Sequence, residues 1–290
     1  MRLPTRQIVL EGCDLSGKST FCAQFHKVTN FRYDVRDRGQ ISRLVYPKVF
    51  GRNHSKELES LHSFLDDLNN VVVFLHPDWS VISRRFASRG DEMHNLGSLR
   101  TTWEEFNMQS LALREHPSII VCTRDPDPEA IRDVIHSREF VSSSMIAEYV
   151  EKSLISTGRN ESLDSQLEII ISQSDDLGPS ALAVPGEEEY YVQILDDIVN
   201  RIEKEIASGQ APTSRRFVTT NPSCISYARF IHRPDHDTFN VVCRSTNIPK
   251  NLKIDLDALI HIAFVAQARV GLSNRDIKLR LNLNCAHIAP

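Results

Sequence analysis

The chain has 290 residues, a net charge of -4, and 41% hydrophobic and 25% charged residues, a composition that fits one large globular domain or two smaller ones. No apolar run reaches the roughly 20 residues of a membrane-spanning helix, and the net acidity excludes a global attraction to nucleic acid, so any DNA contact must come from a local basic patch. The six cysteines are scattered with no CxxC spacing, which argues against a zinc site and for free thiols in a reducing, cytoplasmic setting.

Residues 7–11 read as a short buried strand and 18–28 as the helix that follows a loop. The apolar residues 8–10 run straight into that loop, which is not a signal-peptide pattern. A second strand at 32–35 ends at Asp37-Arg38-Gly39. Leu58, Leu61, Phe64, Leu65 and Leu68 have helical spacing, and 71–75 is a continuous apolar run of the kind found in central parallel strands. Helices are expected at 79–88, 103–114 and 128–137, with a strand at 118–122. Strands alternating with helices predict a doubly wound α/β sheet.

Further on, 141–165 reads as partly helical and 167–172 as a strand. The Ser-, Gly-, Pro- and Asp-rich stretch 174–185 is the expected boundary between a domain at 1–180 and one at 186–290. In the second, 187–208 is an amphipathic helix with Ile194, Ile198, Ile202 and Ile206 on one stripe, stopped by Gly209. Residues 217–220, 226–232 and 239–244 alternate as antiparallel strands do, and 256–270 is an apolar helix.

The loop Gly12-Cys13-Asp14-Leu15-Ser16-Gly17-Lys18-Ser19-Thr20 is a complete phosphate-binding P-loop between a strand and a helix. Its glycines let successive backbone N–H groups turn inward, Lys18 supplies a cation near the β- and γ-phosphates, and the Ser19 hydroxyl is placed to ligate Mg²⁺. The chemistry implied is ATP- and Mg²⁺-dependent phosphoryl transfer.

The segment from Leu10 to Thr20 resembles the signature of the thymidylate kinases. The resemblance covers roughly residues 6 to 137. It implies that Asp14 faces the acceptor nucleotide, that Asp37-Arg38 is the family's Asp-Arg pair at a strand end, and that Arg84, Arg85 and Arg89 belong to a lid whose arginines stabilise the transferred phosphoryl group. Ile41-Ser42-Arg43-Leu44-Val45-Tyr46 resembles the segment that follows the pair in viral members. Only 25 residues separate Gly12 from Asp37, fewer than in cellular relatives, which implies a missing element near the acceptor pocket. On the residues alone, Asp37-Arg38 also reads as a surface ion pair, and Arg84 and Arg85 as a solvated helix face. His76 and His94 suggest no role.

Residues 191–290 resemble the central and C-terminal part of thymidylate synthase and its pyrimidine hydroxymethylase relatives. The elements are Ser214-Arg215-Arg216-Phe217-Val218, Pro222-Ser223-Cys224, Arg244-Ser245-Thr246-Asn247, Asp255 and Ala286-His287-Ile288. The resemblance implies a second α+β domain. In it Arg244 and Ser245 grip a nucleotide phosphate, Arg215 and Arg216 reach across a two-fold homodimer, and Cys224 stands at the nucleophile's place. Asn247 and Asp255 depart from the family's aspartate and ring-reading asparagine, and Ala289 replaces its tyrosine. The readings are therefore a catalytically inactive scaffold, a nucleotide- or DNA-sensing module, or a methylase.

Together these features point to a kinase for a pyrimidine deoxynucleotide. The acceptor is the 5-hydroxymethyl group of hydroxymethyl-deoxyuridine, free or in hydroxymethyluracil-containing DNA, as in phage kinases that hypermodify thymine, or the 5′-phosphate of thymidylate. The site residues expected are Lys18, Asp14, Asp37, Arg38 and Arg89. A non-enzymatic ATP-binding switch is the rival reading.

Overall fold

The computed structural model describes residues 1–91, 93–156, 163–172, 188–209, 225–232, 236–243, 246–247, 251–269 and 275–287. The chain divides into two compact units. One takes in Thr5–Arg138 and Ile155–Gly158, the other Met1–Pro4, Glu139–Leu154 and Arg159–Pro290.

The first unit is built on four parallel strands, β1 (Gln7–Glu11), β2 (Asp34–Asp37), β3 (Asn70–Leu75) and β4 (Ile119–Cys122), in the order β2-β1-β3-β4. All six residues of β3 are buried, as its unbroken apolar run requires of a strand covered on both faces. One face is closed by α1 (Lys18–Thr29) and α6 (Pro128–Glu139), where Phe21, Phe25, Ile131 and Ile135 pack on Ile8, Leu10, Val71 and Val73. The other face is closed by α2 (Gln40–Val49), α3 (Ser55–Asp66), α4 (Trp79–Arg89) and α5 (Leu96–Leu113). There Ile41, Leu61, Leu65, Ile82 and Phe106 pack on Val72 and Phe74.

The doubly wound α/β sheet is as the alternating pattern predicts, with differences at the ends. Helix α5 begins at Leu96 rather than 103, because the Asn95 side chain accepts the Ser98 N–H and caps it. Helix α2 follows β2 after only Arg38 and Gly39. Its Pro47 and two-residue lead-in hide it from a reading by periodicity.

The second unit has a mixed sheet. Its strands are β5 (Leu163–Ile171), β6 (Ile225–His232), β7 (Asp237–Cys243), β8 (Thr246–Asn247) and β9 (Ile277–His287), in the order β5-β9-β7-β6 with β8 also on β9. Pairs β5–β9 and β6–β7 are antiparallel, while β7–β9 and β8–β9 are parallel. The unit's helices are α7 (Ser143–Ser156), α8 (Glu188–Ala207) and α9 (Lys253–Arg269), and α8 packs on α9.

The composition-based boundary near residue 180 does not match this division. Strand β5 pairs with β9 along its length, so the second unit begins earlier, at Glu139. Residues 1–4 also join it: Arg2 exchanges backbone hydrogen bonds with Ile170 (2.8 Å each way), and Leu3 N–H donates to Glu139 O (2.9 Å). The alternating strand β9 was not foreseen, and the strand expected at 217–220 lies outside the described residues.

Phe106 is fully buried and meets Phe74 and Tyr46 edge-on at 5.9 and 5.8 Å. Phe106→Ala is expected to cost about 3–5 kcal/mol in urea unfolding, the usual cost of a large core cavity. A loss under about 1 kcal/mol would show that α5 does not anchor this core.

Candidate active site

The phosphate loop leaves β1 at a turn only glycine can make. Gly12 has φ 138°, and a Cβ there would fall 2.2 Å from the Leu75 carbonyl oxygen on β3. Gly17 (φ 100°) opens α1, and no side chain caps that helix, so its first N–H groups suit an anion. Lys18 is 6% exposed, and its ammonium donates to Gly12 O and Cys13 O at 2.8 Å each. Burial pulls the Lys18 pKa down, opposed by the charges of Asp37 and Asp14. Ser19 and Thr20 are exposed on the first turn of α1. The tight glycine turn, the uncapped helix and the inward lysine fit a nucleotide triphosphate, with Ser19 the residue that would hold Mg²⁺. Burial pushes the Cys13 thiol up to about 12, which leaves it inert at neutral pH.

On the other side of the loop lies Asp14. Its carboxylate takes an ion pair from Arg38 on Oδ1, a hydrogen bond from Tyr46 Oη on Oδ2 (2.9 Å), and contact with His94 Nε2 (3.1 Å). Burial alone would raise the Asp14 pKa. The Tyr46 hydrogen bond and the charges of Arg38, Lys18 and His94 outweigh it and hold the carboxyl below its ordinary value. Burial and the neighbouring Asp14 charge keep the Tyr46 hydroxyl protonated. Arg38 adopts a left-handed backbone (φ 67°), donates its N–H to Leu10 O (2.9 Å) and stacks its guanidinium over Tyr46 at 5.0 Å. Asp37 ends β2 and is exposed.

Arg38, Ser42, Arg43, Tyr46, Phe50, Arg52 and Met93 are among the residues lining a cavity of about 530 Å³. Arg43 and Arg52 make no side-chain hydrogen bond or ion pair among the described residues. A second cavity, about 290 Å³, lies along Ser16, Gly17, Thr20, Arg85, Arg89 and Asp125. There Arg85 donates to Leu15 O (2.9 Å) and pairs with Asp125 (2.6 Å).

The structure thus brings together Gly12, Cys13, Asp14, Leu15, Ser16, Gly17, Lys18, Ser19, Thr20, Asp37 and Arg38, and places Arg89 at the second cavity. Arg84 is exposed and lines neither cavity. Three residues of the site have no role assigned by the sequence reading, although Glu11 and Tyr46 lie in segments that carry its resemblance. Glu11 is fully buried under the N-terminus of α2, where it accepts the N–H groups of Gly39, Ile41 and Ser42. Tyr46 closes the segment 41–46 likened to viral members, with nothing to single it out there. His94 sits in a polar loop with nothing to mark it. Arg215, Arg216, Cys224, Arg244 and Ser245 lie outside the described residues, while Asp255 is buried in the first turn of α9.

No known protein-family profile matches the chain, and no curated protein matches it. Parts of it are similar to solved structures. The YorR protein of Bacillus subtilis in complex with phosphorylated GDP is 23% identical, with a TM-score of 0.35 over 45% of this chain and 94% of its own. A deoxyadenosine kinase of M. mycoides with dCMP and dCDP is 12% identical, with a TM-score of 0.31 over 46% of this chain and 97% of its own. Thymidylate synthase of T4 phage is 16% identical, with a TM-score of 0.26 over 33% of this chain and 34% of its own.

Lys18→Ala is expected to keep the fold, since it removes one side chain at a helix start, and to lower phosphoryl transfer by about 10²-fold or more. Near-normal turnover in a folded variant would take Lys18 out of the chemistry. The lowered Asp14 pKa also predicts a pH effect. Ionised Asp14 stabilises the fold, fully above its ordinary value of 3.8, and the contribution is lost as pH falls through the lowered value. Thermal melting of Asp14→Asn should therefore fall less steeply between about pH 5 and about pH 2 than that of the parent. Equal slopes would show that Asp14 gains nothing from its partners.

Proposed function

We propose that the Thr5–Arg138 unit is an ATP-dependent kinase for a pyrimidine deoxynucleotide, and that the acceptor group is the 5-hydroxymethyl of hydroxymethyl-deoxyuridine, free or in DNA. The observation that carries the kinase reading is that one loop serves two cavities. Its Leu15, Ser16 and Gly17 line the smaller, while its Asp14 holds Arg38 and Tyr46 at the larger. A donor bound along α1 and an acceptor bound along α2 would then meet at Lys18. The larger volume falls within the usual range for small-molecule sites, roughly 300–1,000 Å³.

The two aspartates take different parts. Asp14 already has Arg38, Tyr46 and His94 on its oxygens, so it anchors. Asp37 is exposed beside Lys18, free to accept a proton. The hydroxymethyl oxygen attacks the γ-phosphorus, its proton passes to Asp37, the bond from phosphorus to the β–γ bridging oxygen breaks, and ADP leaves. Lys18 and Arg89 neutralise the charge that develops. Mg²⁺ held at Ser19 supplies further neutralisation of the phosphates when bound.

A second reading rests on the guanidiniums of Arg43 and Arg52, which line the acceptor cavity without a partner among the described residues. They suit the 5′-phosphate of thymidylate as acceptor, an already anionic group that needs no base.

The experiment is transfer from γ-labelled ATP to thymidylate, to hydroxymethyl-deoxyuridylate, and to DNA with and without hydroxymethyluracil. Label on a hydroxymethyl acceptor is expected, and Asp37→Asn should lower that rate by about 10²–10⁴-fold. Label on thymidylate alone, with Asp37→Asn unaffected, would establish the second reading. No label on any acceptor, with ATP still bound, would leave a nucleotide switch.

A further inference from the structure

His94 is the least expected member of the site. Its side chain is fully buried, although it belongs to the loop joining α4 to α5. The loop is pinned on both flanks of the ring: Asp91 Oδ1 accepts the N–H groups of Met93 and His94 (2.9 Å each), and Asn95 caps α5. The ring stacks on Phe50 at 6.0 Å with an interplanar angle of 24°, and Tyr46 lies 6.3 Å away. Nothing in the core requires an imidazole there, since an apolar ring would fill the space.

The two ring nitrogens face different groups. Nδ1 lies 3.3 Å from Ser98 Oγ, and Nε2 lies 3.1 Å from Asp14 Oδ2. Asp14 is ionised, so it accepts only, and Nε2 must carry a proton. Ser98 has one hydroxyl proton to give, to the Asn95 carbonyl (3.1 Å) or to Nδ1. Either choice leaves Nε2–H on Asp14. The carboxylate is then held from three directions, by Arg38 just after β2, by Tyr46 of α2 and by His94 of the α4–α5 loop.

We propose that His94 is a positioning residue for phosphoryl transfer: its Nε2–H fixes the Asp14 carboxylate so that Arg38 and Tyr46 are presented to the acceptor cavity. The kinetic part rests on the kinase reading above. The structural part does not, because it concerns only which groups His94 orders. The role is one of acceptor placement, since Arg38 and Tyr46 line the acceptor cavity and neither lines the smaller one. It also ties the loop that follows Arg89 to the phosphate loop.

The test uses the full chain with His94→Ala and His94→Gln, whose amide N–H can replace Nε2–H. Imidazole nitrogen NMR of the parent should show His94 protonated on Nε2 at neutral pH. The Tyr46 ring resonances should shift in His94→Ala and return in His94→Gln. A His94 protonated only on Nδ1, or Tyr46 resonances unmoved in His94→Ala, overturns the proposal even where no turnover is found. In kinetics, His94→Ala should raise the acceptor KM by about tenfold to a hundredfold, the loss expected for a hydrogen bond to a charged group, with the ATP KM within about twofold. His94→Gln should recover most of it. Equal losses for both substrates, or no rescue, would mean a structural role only and overturn it. An inactive parent with the NMR pattern intact would instead strike at the kinase reading alone.

Discussion

The Asp14 carboxylate is the point on which the larger cavity depends. A carboxylate that is 16% exposed and set in the phosphate loop would repel a polyphosphate unless its charge were met elsewhere. Arg38, Tyr46 and His94 meet it, and each is committed by doing so. Arg38 takes up a left-handed backbone, which costs a non-glycine residue about 1 kcal/mol or more. Tyr46 is kept as a phenol, able to donate. The charge of Asp14 is thus turned into a fixed orientation for two side chains that line the larger cavity.

This arrangement sorts two carboxylates that look alike in the chain. Asp14 comes shortly after β1, Asp37 ends β2, and both act on the charge of Lys18. Environment separates them. Asp14 has its lone pairs taken and a lowered pKa, so it is a poor proton acceptor at neutral pH and a good anchor. Asp37 stands at the carboxyl end of β2, exposed, where open parallel sheets bring their ligands. The different roles follow from which oxygens are free, not from residue type.

The chain made the central sheet readable because parallel strands buried on both faces have to be unbroken apolar runs, as 71–75 is. The phosphate loop was readable for a similar reason: the 2.2 Å approach of Leu75 O leaves no alternative to glycine at position 12. The partners of Asp14 were hidden. They come from sequence separations of 24, 32 and 80 residues, and no local period reports contacts that distant. Strand β5 was legible as a strand but not as a member of the second sheet, since register is set by its partner β9 rather than by its own residues.

The two cavities are tied to the same strand, and that limits how they can move relative to each other. Strand β1 runs into the phosphate loop at Gly12. Its last residue, Glu11, is buried with no cation on it among the described residues and accepts the N–H groups that open α2. Burial raises the Glu11 pKa, while those N–H groups and the helix N-terminus favour the ionised form. The fit is close: a Cβ on Gly39 would fall 2.6 Å from Val9 Cγ1 and 3.2 Å from Glu11 Oε1. Helix α2 therefore starts directly against the Val9 and Glu11 side chains of β1. Two consecutive residues, Glu11 and Gly12, set the start of α2 and the turn into the phosphate loop. In-line transfer needs reacting atoms held about 3–3.5 Å apart. On the proposed kinase reading, the spacing of the two cavities is set by one stretch of backbone, with Asp14 and His94 adding side-chain contacts at the larger.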